Sequence, residues 1–449
     1  MISVRLAAYA ALCSLFFSGL IAFRAAAAER ELDDAPPPST VREIKTPIQR
    51  VIPEEKVRAP LIPGLWKRLQ NLPPFLADTQ LEARYRTYYL RQHDTTDDRR
   101  EAWAMGGSIR YQSGWLAETF AVEVEGFTSQ PIVAPNDRDG TLLLAPEQEG
   151  YAVLGIANGK LRWRDFVLTG YRQYMDLPYL NRRDNRMTPN TFESLVLEKT
   201  GGALLFSGGY TWKIKGRNDD DFESMTRALG LDVDRGLAHF GAVWKPDEDH
   251  HIGAIGVFLP DVGAGLYAES GFGFDLLDGV DVRLDGQFTY EWEEGRDLLG
   301  DMVDDTWNLG LRASTSYRGA LFRLGFSITG PDSDITHLYG TSPSYVDLMQ
   351  RTFNRADEKA LLASASYDFG EIGLVGLTAI LNFSAGFDGK RLGVRSNSQE
   401  IDLTLDYKIK SGWLKSFWLR LRASWLNEEV DDRDGTDVRV ILRYDFSIL

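Results

Sequence analysis

The chain has 449 residues, of which 65 are acidic and 50 basic, giving a formal net charge of −15, and it is 43% hydrophobic and 12% aromatic. That acidity excludes a nucleic-acid binder of the electrostatic kind. One cysteine, Cys13, excludes a disulfide framework, and no apolar run after residue 28 is long enough for a transmembrane helix.

Residues 1–28 open with Arg5, run through Leu15, Phe16, Phe17 and Leu20, and end on the small residues Ala25 to Ala28. This order of charge, grease and small side chains predicts a cleaved secretory signal peptide. The alternative, an uncleaved anchor, is opposed by Arg24 and the terminal alanines. Cys13 lies inside the signal without a lipoprotein cleavage context, so the exported chain is expected to carry neither thiol nor lipid anchor. Residues 29–80 contain Pro36, Pro37, Pro38, Pro47, Pro53, Pro60, Pro63, Pro73 and Pro74 and predict a proline-rich periplasmic N-terminal segment. Leu65, Trp66 and Leu69 form one amphipathic turn within it, or belong to a tail without regular structure.

From residue 81 to 449, stretches of about ten residues alternate apolar and polar side chains. In the last of them Val438, Val440, Leu442, Tyr444, Phe446 and Ile448 fall on one face, and Arg439, Arg443, Asp445 and Ser447 on the other. Eighteen candidate strands follow, from 81–91 to 436–449, with 116–128, 372–386 and 399–410 among them. Arg164-Asp165, Thr200-Gly201, Leu277-Asp278-Gly279, Arg318-Gly319 and Gly370-Glu371 fall at short turns, whereas 129–149, 176–190, 215–235 and 331–357 fall at long loops. Short and long connections alternate along the chain. The fold class is therefore all-β, a transmembrane antiparallel β-barrel of about 18 strands with a periplasmic N-terminal extension. A secreted β-sandwich is the competing architecture, but it does not require that alternation.

Charge on a lipid-facing position is costly, so the inward face is expected to hold the functional side chains. The inward positions include Arg84, Arg86 and Tyr88 on the first strand, Arg110 on the second, and Lys160, Arg162 and Arg164 on the fourth. They also include Arg420 and Arg422 on the seventeenth and Arg439 and Arg443 on the last. Barrel closure places the last strand beside the first and gathers these cations into one sector. Guanidinium groups keep their charge and bind carboxylates weakly enough to release them, so the sector reads as an anion guide. Glu123, Glu125, Asp402 and Asp406 make the plainer reading, interior ion pairing, available.

The connection Met175 to Thr191 reads MDLPYLNRRDNRMTPNT and is too polar and too punctuated for a strand. It is a candidate constriction loop folded into the lumen, with Asp176, Tyr179, Asn181, Arg182, Arg183, Asp184, Asn185 and Arg186 as its polar and aromatic residues, or else a surface loop. The run GKLRWRDFVLTGYRQYMDLPYLNRRDNRMTPNTFESLVLE, Gly159 to Glu198, resembles the segment around the constriction loop of OprD-type outer-membrane porins. RYRTYYLRQHD, Arg84 to Asp94, followed by Glu101-Ala102-Trp103, resembles that family's first strand and loop. The resemblance implies an outer-membrane porin for passive, charge-selective uptake of small polar solutes, carboxylates first among them, past loops three and seven. It carries Arg84, Arg86, Lys160, Arg162 and Arg172 over as ladder or eyelet residues. The chain departs from the pattern in its third strand, AETFAVEVEGF, in its proline-rich start and in the terminal Leu449.

No cofactor is expected. The five histidines, His93, His239, His250, His251 and His337, show no metal spacing, and no nucleophile elbow or carboxylate pair points to an enzyme. Asn136 to Gly140 and Asp431 to Gly435 are either divalent-cation loops beside lipopolysaccharide or plain Asp-Gly turns. The expected partners are small polar or anionic solutes and outer-membrane lipid and lipopolysaccharide, with no nucleic acid, in a homotrimer or a monomer. An outer-membrane hydrolase and a structural or adhesive barrel are the rival functions.

Overall fold

Alternation along the strands produces a sheet that inverts the burial rule of a soluble protein. The computed structural model describes residues 38–43, 60–94, 99–300, 305–336, 338–339, 344–391, 393–412, 414–430 and 434–449; the expected signal peptide lies outside them. Arg86, Arg283 and Lys215 are among its most deeply buried large side chains, while Leu324, Phe240 and Phe322 are exposed. Buried charge and an oily exterior are what a barrel in lipid needs, and what a sandwich cannot supply.

The wall begins with β1 (Gln80–Asp94), β2 (Arg99–Gln112), β3 (Phe120–Val133), β4 (Tyr151–Trp163), β5 (Phe166–Gln173) and β6 (Thr191–Lys199). It continues with β7 (Leu204–Lys215), which carries a two-residue ribbon, β8 (Glu223–Ser224), and pairs onward with β9 (Leu237–Trp244). Then come β10 (His250–Leu259), β11 (Gly263–Leu277), β12 (Val280–Glu293), β13 (Thr306–Tyr317) and β14 (Ala320–Thr329). β15 (Lys359–Asp368), β16 (Leu377–Arg391), β17 (Val394–Lys408), β18 (Phe417–Glu428) and β19 (Gly435–Ser447) complete it. β1 pairs antiparallel with β19 from Glu82↔Ser447 to Asp94↔Gly435, so the sheet closes and leaves no edge. With β8 standing outside the ring, eighteen strands form the wall.

The expected boundaries shift at three places, each for a local reason. Ala117 (φ 48°) and Glu118 (φ 56°) adopt left-handed backbone and turn the chain, so the strand expected from 116 starts at Phe120. Phe369–Ile372 winds into a 3-10 turn in which Asp368 accepts from the Gly370 N–H at 2.8 Å, so β16 starts at Leu377 and not at 372. At the other end of β16 the hairpin runs on to Arg391↔Val394 past a bulge at Gly386/Gly389, replacing an expected outer loop.

Among the described residues of the N-terminal segment, two short helices, Pro63–Leu69 and Pro74–Ala77, lie at the rim of short turns, each with a proline in its first turn, where the missing N–H costs nothing. Leu65, in the expected amphipathic turn, is exposed, and the first helix buries no residue. Leu61 and Ile62 donate backbone N–H groups to Ser447 and Ile448, fastening the segment to the end of β19. Residues 38–43 enter the barrel. Val41 is buried against Leu321 and donates its N–H to Ser316 Oγ at 3.4 Å, while Arg42 reaches Asp275 at 2.8 Å and Asp249 at 3.6 Å.

Candidate channel constriction and its basic wall

Strand register brings the two chain ends together as rows across the inner face. Leu90, Arg439, Arg422 and Thr404 share one row, Tyr88, Ile441, Arg420 and Asp406 the next, and Arg86, Arg443, Trp418 and Lys408 the one below. Arg84 and Asp445 follow toward the rim of short turns. Six arginines therefore line β1, β18 and β19, on inward positions set by the period-two pattern.

Most of these cations have an acidic partner. Arg84 and Arg443 share Asp445, at 2.9 and 2.6 Å. Arg420 chelates Asp406 at 2.7 and 2.9 Å while stacking on the Trp418 ring, 4.5 Å from its centroid. Arg439 holds Asp437 with bonds of 2.8 and 2.6 Å. Arg86 makes a fork-to-fork pair with Asp184 of the candidate constriction loop, at 2.7 and 3.1 Å, with both groups buried. Arg422 differs: it donates to Thr404 Oγ1 at 3.3 Å and has no carboxylate in ion-pair reach among the described residues. Its cross-strand neighbour is another cation, Arg439.

The other expected ladder residues do not join this sector. Arg110 and Lys160 face inward but are engaged by Glu123 and Glu125, so two cations meet two carboxylates and the local charge cancels. Arg162 sits near the rim of short turns, its guanidinium 4.2 Å from the Trp115 ring centroid and donating to the Glu118 carbonyl at 3.0 Å. Arg164 was expected on the wall, but its φ of 52° places it in the β4–β5 turn, over the exposed Trp163 ring at 4.9 Å. Arg172 stands in the row of Ala157 and Glu193, out of step with the inward Asn158 and Lys160, because Tyr171 (φ 82°) breaks the regular path of β5. It binds Glu193 at 3.1 Å and lies over the Phe222 ring at 4.1 Å.

The loop 174–190 crosses the lumen. Its tip is a tight turn in which Arg182 pairs with Asp176, stacks on Tyr174 at 4.5 Å, and sets Asp176 opposite Asn181. On one side Asp184 is bound to Arg86 of β1, and the Asn185 carbonyl accepts from Tyr88 Oη at 3.4 Å. On another side the buried Tyr179 ring rests against Gly265 of β11, where a Cβ would stand 3.1 Å from the ring. The Arg183 backbone is fixed too, its N–H donating to Asn181 Oδ1 at 2.7 Å. Arg186 is buried, donates to the Thr141 carbonyl at 2.8 Å, and has no carboxylate in ion-pair reach among the described residues. Burial and the nearby Arg439 push its pKa down to about 10, which leaves it charged at neutral pH.

A second loop, 330–358, also turns inward, and its anchors carry little sequence signal. Leu180 and Tyr339 form a parallel bridge between the two loops. Glu400 and Asp402 of β17 accept the backbone N–H groups of Met349, Gln350 and Arg351 at 2.8 to 3.0 Å. Arg351 is held between Glu358 at 2.6 Å and Glu428 at 2.8 Å. Burial pushes the Asp347 carboxyl of this loop well above the usual carboxylate range. The resemblance already implied a part for the seventh loop, and the inward acids of one strand, Glu400, Asp402 and Asp406, were the residue-level sign of where it docks.

The other flagged motifs are structural. Asp139 accepts the N–H groups of Gly140 and Glu147, as an Asp-Gly turn does, whereas residues 431–433 and His337 lie outside the described residues. His251 sits on the wall, 3.2 Å from Arg283 and 3.5 Å from Glu269.

Comparison with known proteins gives a consistent result. The family described as outer membrane porin, OprD family, matches residues 73–448. Porin D of Pseudomonas aeruginosa is 21% identical over 420 residues, covering 84% of this chain and 92% of that protein. Among solved structures, OccK9 (OpdG) of Pseudomonas aeruginosa superposes with a TM-score of 0.78 at 24% identity, over 84% of this chain and all of that one. A BenF-like porin from Pseudomonas fluorescens gives a TM-score of 0.78 at 22% identity, and OpdK of Pseudomonas aeruginosa, solved with vanillate, 0.75 at 22%; each covers 83% of this chain and 100% of its counterpart.

Proposed function

The chain belongs to the OprD family of outer membrane porins, and on that premise we propose that its channel favours small solutes bearing a carboxylate. It is a channel of the Gram-negative outer membrane for small polar solutes. What supports the narrower reading is the surplus of positive charge where the lumen is crossed by a loop. In the sector of β1, β18 and β19 six arginines meet four aspartates as ion-pair partners, Asp184, Asp406, Asp437 and Asp445, while the neighbouring Glu400 and Asp402 of β17 are taken up by backbone N–H groups of loop 330–358, and Arg186 adds a further cation. Paired guanidiniums have spent most of their field on their partners, so attraction for a passing anion falls chiefly to Arg422 and Arg186. Loop and wall set the size limit, fixed charge sets the preference, and no energy source is involved.

The carrying observation is Arg422, an inward guanidinium without a carboxylate. Reversal potentials in planar bilayers under a salt gradient test it: Arg422→Gln is expected to lower the preference for anions over cations. An unchanged reversal potential would reject the assignment. The vanillate in the OpdK structure makes an aromatic monocarboxylate a suitable first solute for liposome swelling.

We read the exported chain as beginning after a signal peptide and residues 29–80 as a periplasmic segment, of which the described residues 38–43 lie at the inner mouth. The contacts of Val41 and Arg42 with the wall support that reading. Lipid and lipopolysaccharide surround the outward leucine and phenylalanine face.

A further inference from the structure

The inner wall carries a second concentration of arginine, away from the sector just described and separated from β18 by β15, β16 and β17. Register places Ser314 of β13, Arg323 of β14 and Ser364 of β15 in one row. All three face the lumen: the two serines are buried, Arg323 is partly exposed, and the flanking Phe322 and Leu324 point outward. Ser314 Oγ, Arg323 Nε and Ser364 Oγ are each buried without a hydrogen-bond partner among the described residues. Three adjacent hydrogen-bonding groups left unsatisfied in one line are costly unless something completes them.

The surroundings restrict what that is. Asp285 is already shared by Arg283 at 2.7 Å and Arg312 at 2.9 Å, so it is not free to neutralise Arg323. Glu269 is likewise engaged, accepting from Tyr267 Oη at 3.0 Å and facing His251 at 3.5 Å. Three guanidiniums, Arg283, Arg312 and Arg323, thus face two carboxylates, Asp285 and Glu269, and the neighbourhood keeps a single surplus positive charge. Loop residue Tyr345 roofs the row: its ring lies 4.3 Å from the Arg312 guanidinium, and its carbonyl stands 3.1 Å from where a Cβ on Gly325 would be. Val41 floors it, seated on Leu321 and Ser316, the next row toward the rim of short turns.

We propose that Ser314, Arg323 and Ser364 form a second binding station for a carboxylate head group, opening sideways onto the lumen between Tyr345 and Val41. A guanidinium edge presents two donors to a carboxylate, and a serine hydroxyl on either side supplies another, matching the unsatisfied groups in kind. The station deepens the carboxylate reading of the channel but depends on different side chains from Arg422. A solute leaving the first sector meets it before the exit, bound weakly enough to pass on.

The test is block of single-channel current by benzoate added to the full-length porin from either side in turn, with chloride as the carrier. Arg323→Gln is expected to raise the half-blocking concentration about tenfold, the size of effect associated with losing a charge-assisted hydrogen bond. Ser314→Ala with Ser364→Ala, which keeps the charge, is expected to raise it about two- to threefold. Arg422→Gln is expected to shift the reversal potential while leaving this block in place, so the two assignments fail separately. Heat-modifiable migration in detergent gels establishes that each variant has closed its barrel. Wild-type block in correctly folded Arg323→Gln, or in the double serine variant together with Arg323→Lys, overturns the station.

Discussion

Arg86 and Asp184 show how far a single residue can be read in advance. Alternation along the first strand places Arg86 inward, but nothing in the sequence marks a loop aspartate nearly a hundred positions away as its partner. The pair is fully buried, so truncating one member strands the other charge out of water, at a cost of about 3–5 kcal/mol. Arg86→Met is therefore expected to detach loop 174–190 and lower the thermal midpoint followed by circular dichroism. Arg86→Met combined with Asp184→Leu should recover much of that loss, and a single variant as stable as wild type would show that the pair does not hold the loop. The same limit explains why the sequence ranks Arg162, Arg420, Arg422 and Arg439 alike: period two gives the face, but the neighbouring acids that silence Arg420 and Arg439 come from register.

At the level of elements, strands were legible because a barrel wall needs strict alternation, and a one-residue slip would turn every charge toward lipid. Boundaries failed where left-handed residues or a 3-10 turn interrupted it, as at Glu118 and Phe369. The inward fold of loop 330–358 was harder, since its anchors are backbone N–H groups received by Glu400 and Asp402. At the outer rim, Asp261 ties two loops by accepting from Arg296 at 3.0 Å and from Arg235 at 2.9 Å. Those bonds, that from Arg296 foremost, hold its pKa down to about 2. A depressed carboxylate contributes fully above the unfolded value of about 3.9 and loses its contribution as pH falls through the folded value. The tie is thus expected to survive mild acid: limited proteolysis of the outer loops should be alike at neutral pH and at about pH 4.5. Asp261→Asn should raise the cleavage rate at both, and equal cleavage of variant and wild type would show the tie to be idle.

Across the whole molecule, polar matter is inside and grease outside, and described residues from the N-terminal segment, 38–43, also lie inside. Val41 and Arg42 touch β11, β13 and β14 at the inner mouth, filling part of the exit. A chain lacking residues 29–43 but keeping its signal is expected to show a larger single-channel conductance, and conductance equal to that of the full chain would make the segment a bystander. The seam between β1 and β19 has a consequence in time as well as in space. Arg84 and Arg86 are synthesised near the start, Arg439 and Arg443 at the very end, and Asp445 joins Arg84 to Arg443 across the junction. The basic wall is therefore complete only once the two chain ends have met, and a chain without its final strand has neither a sealed barrel nor that wall.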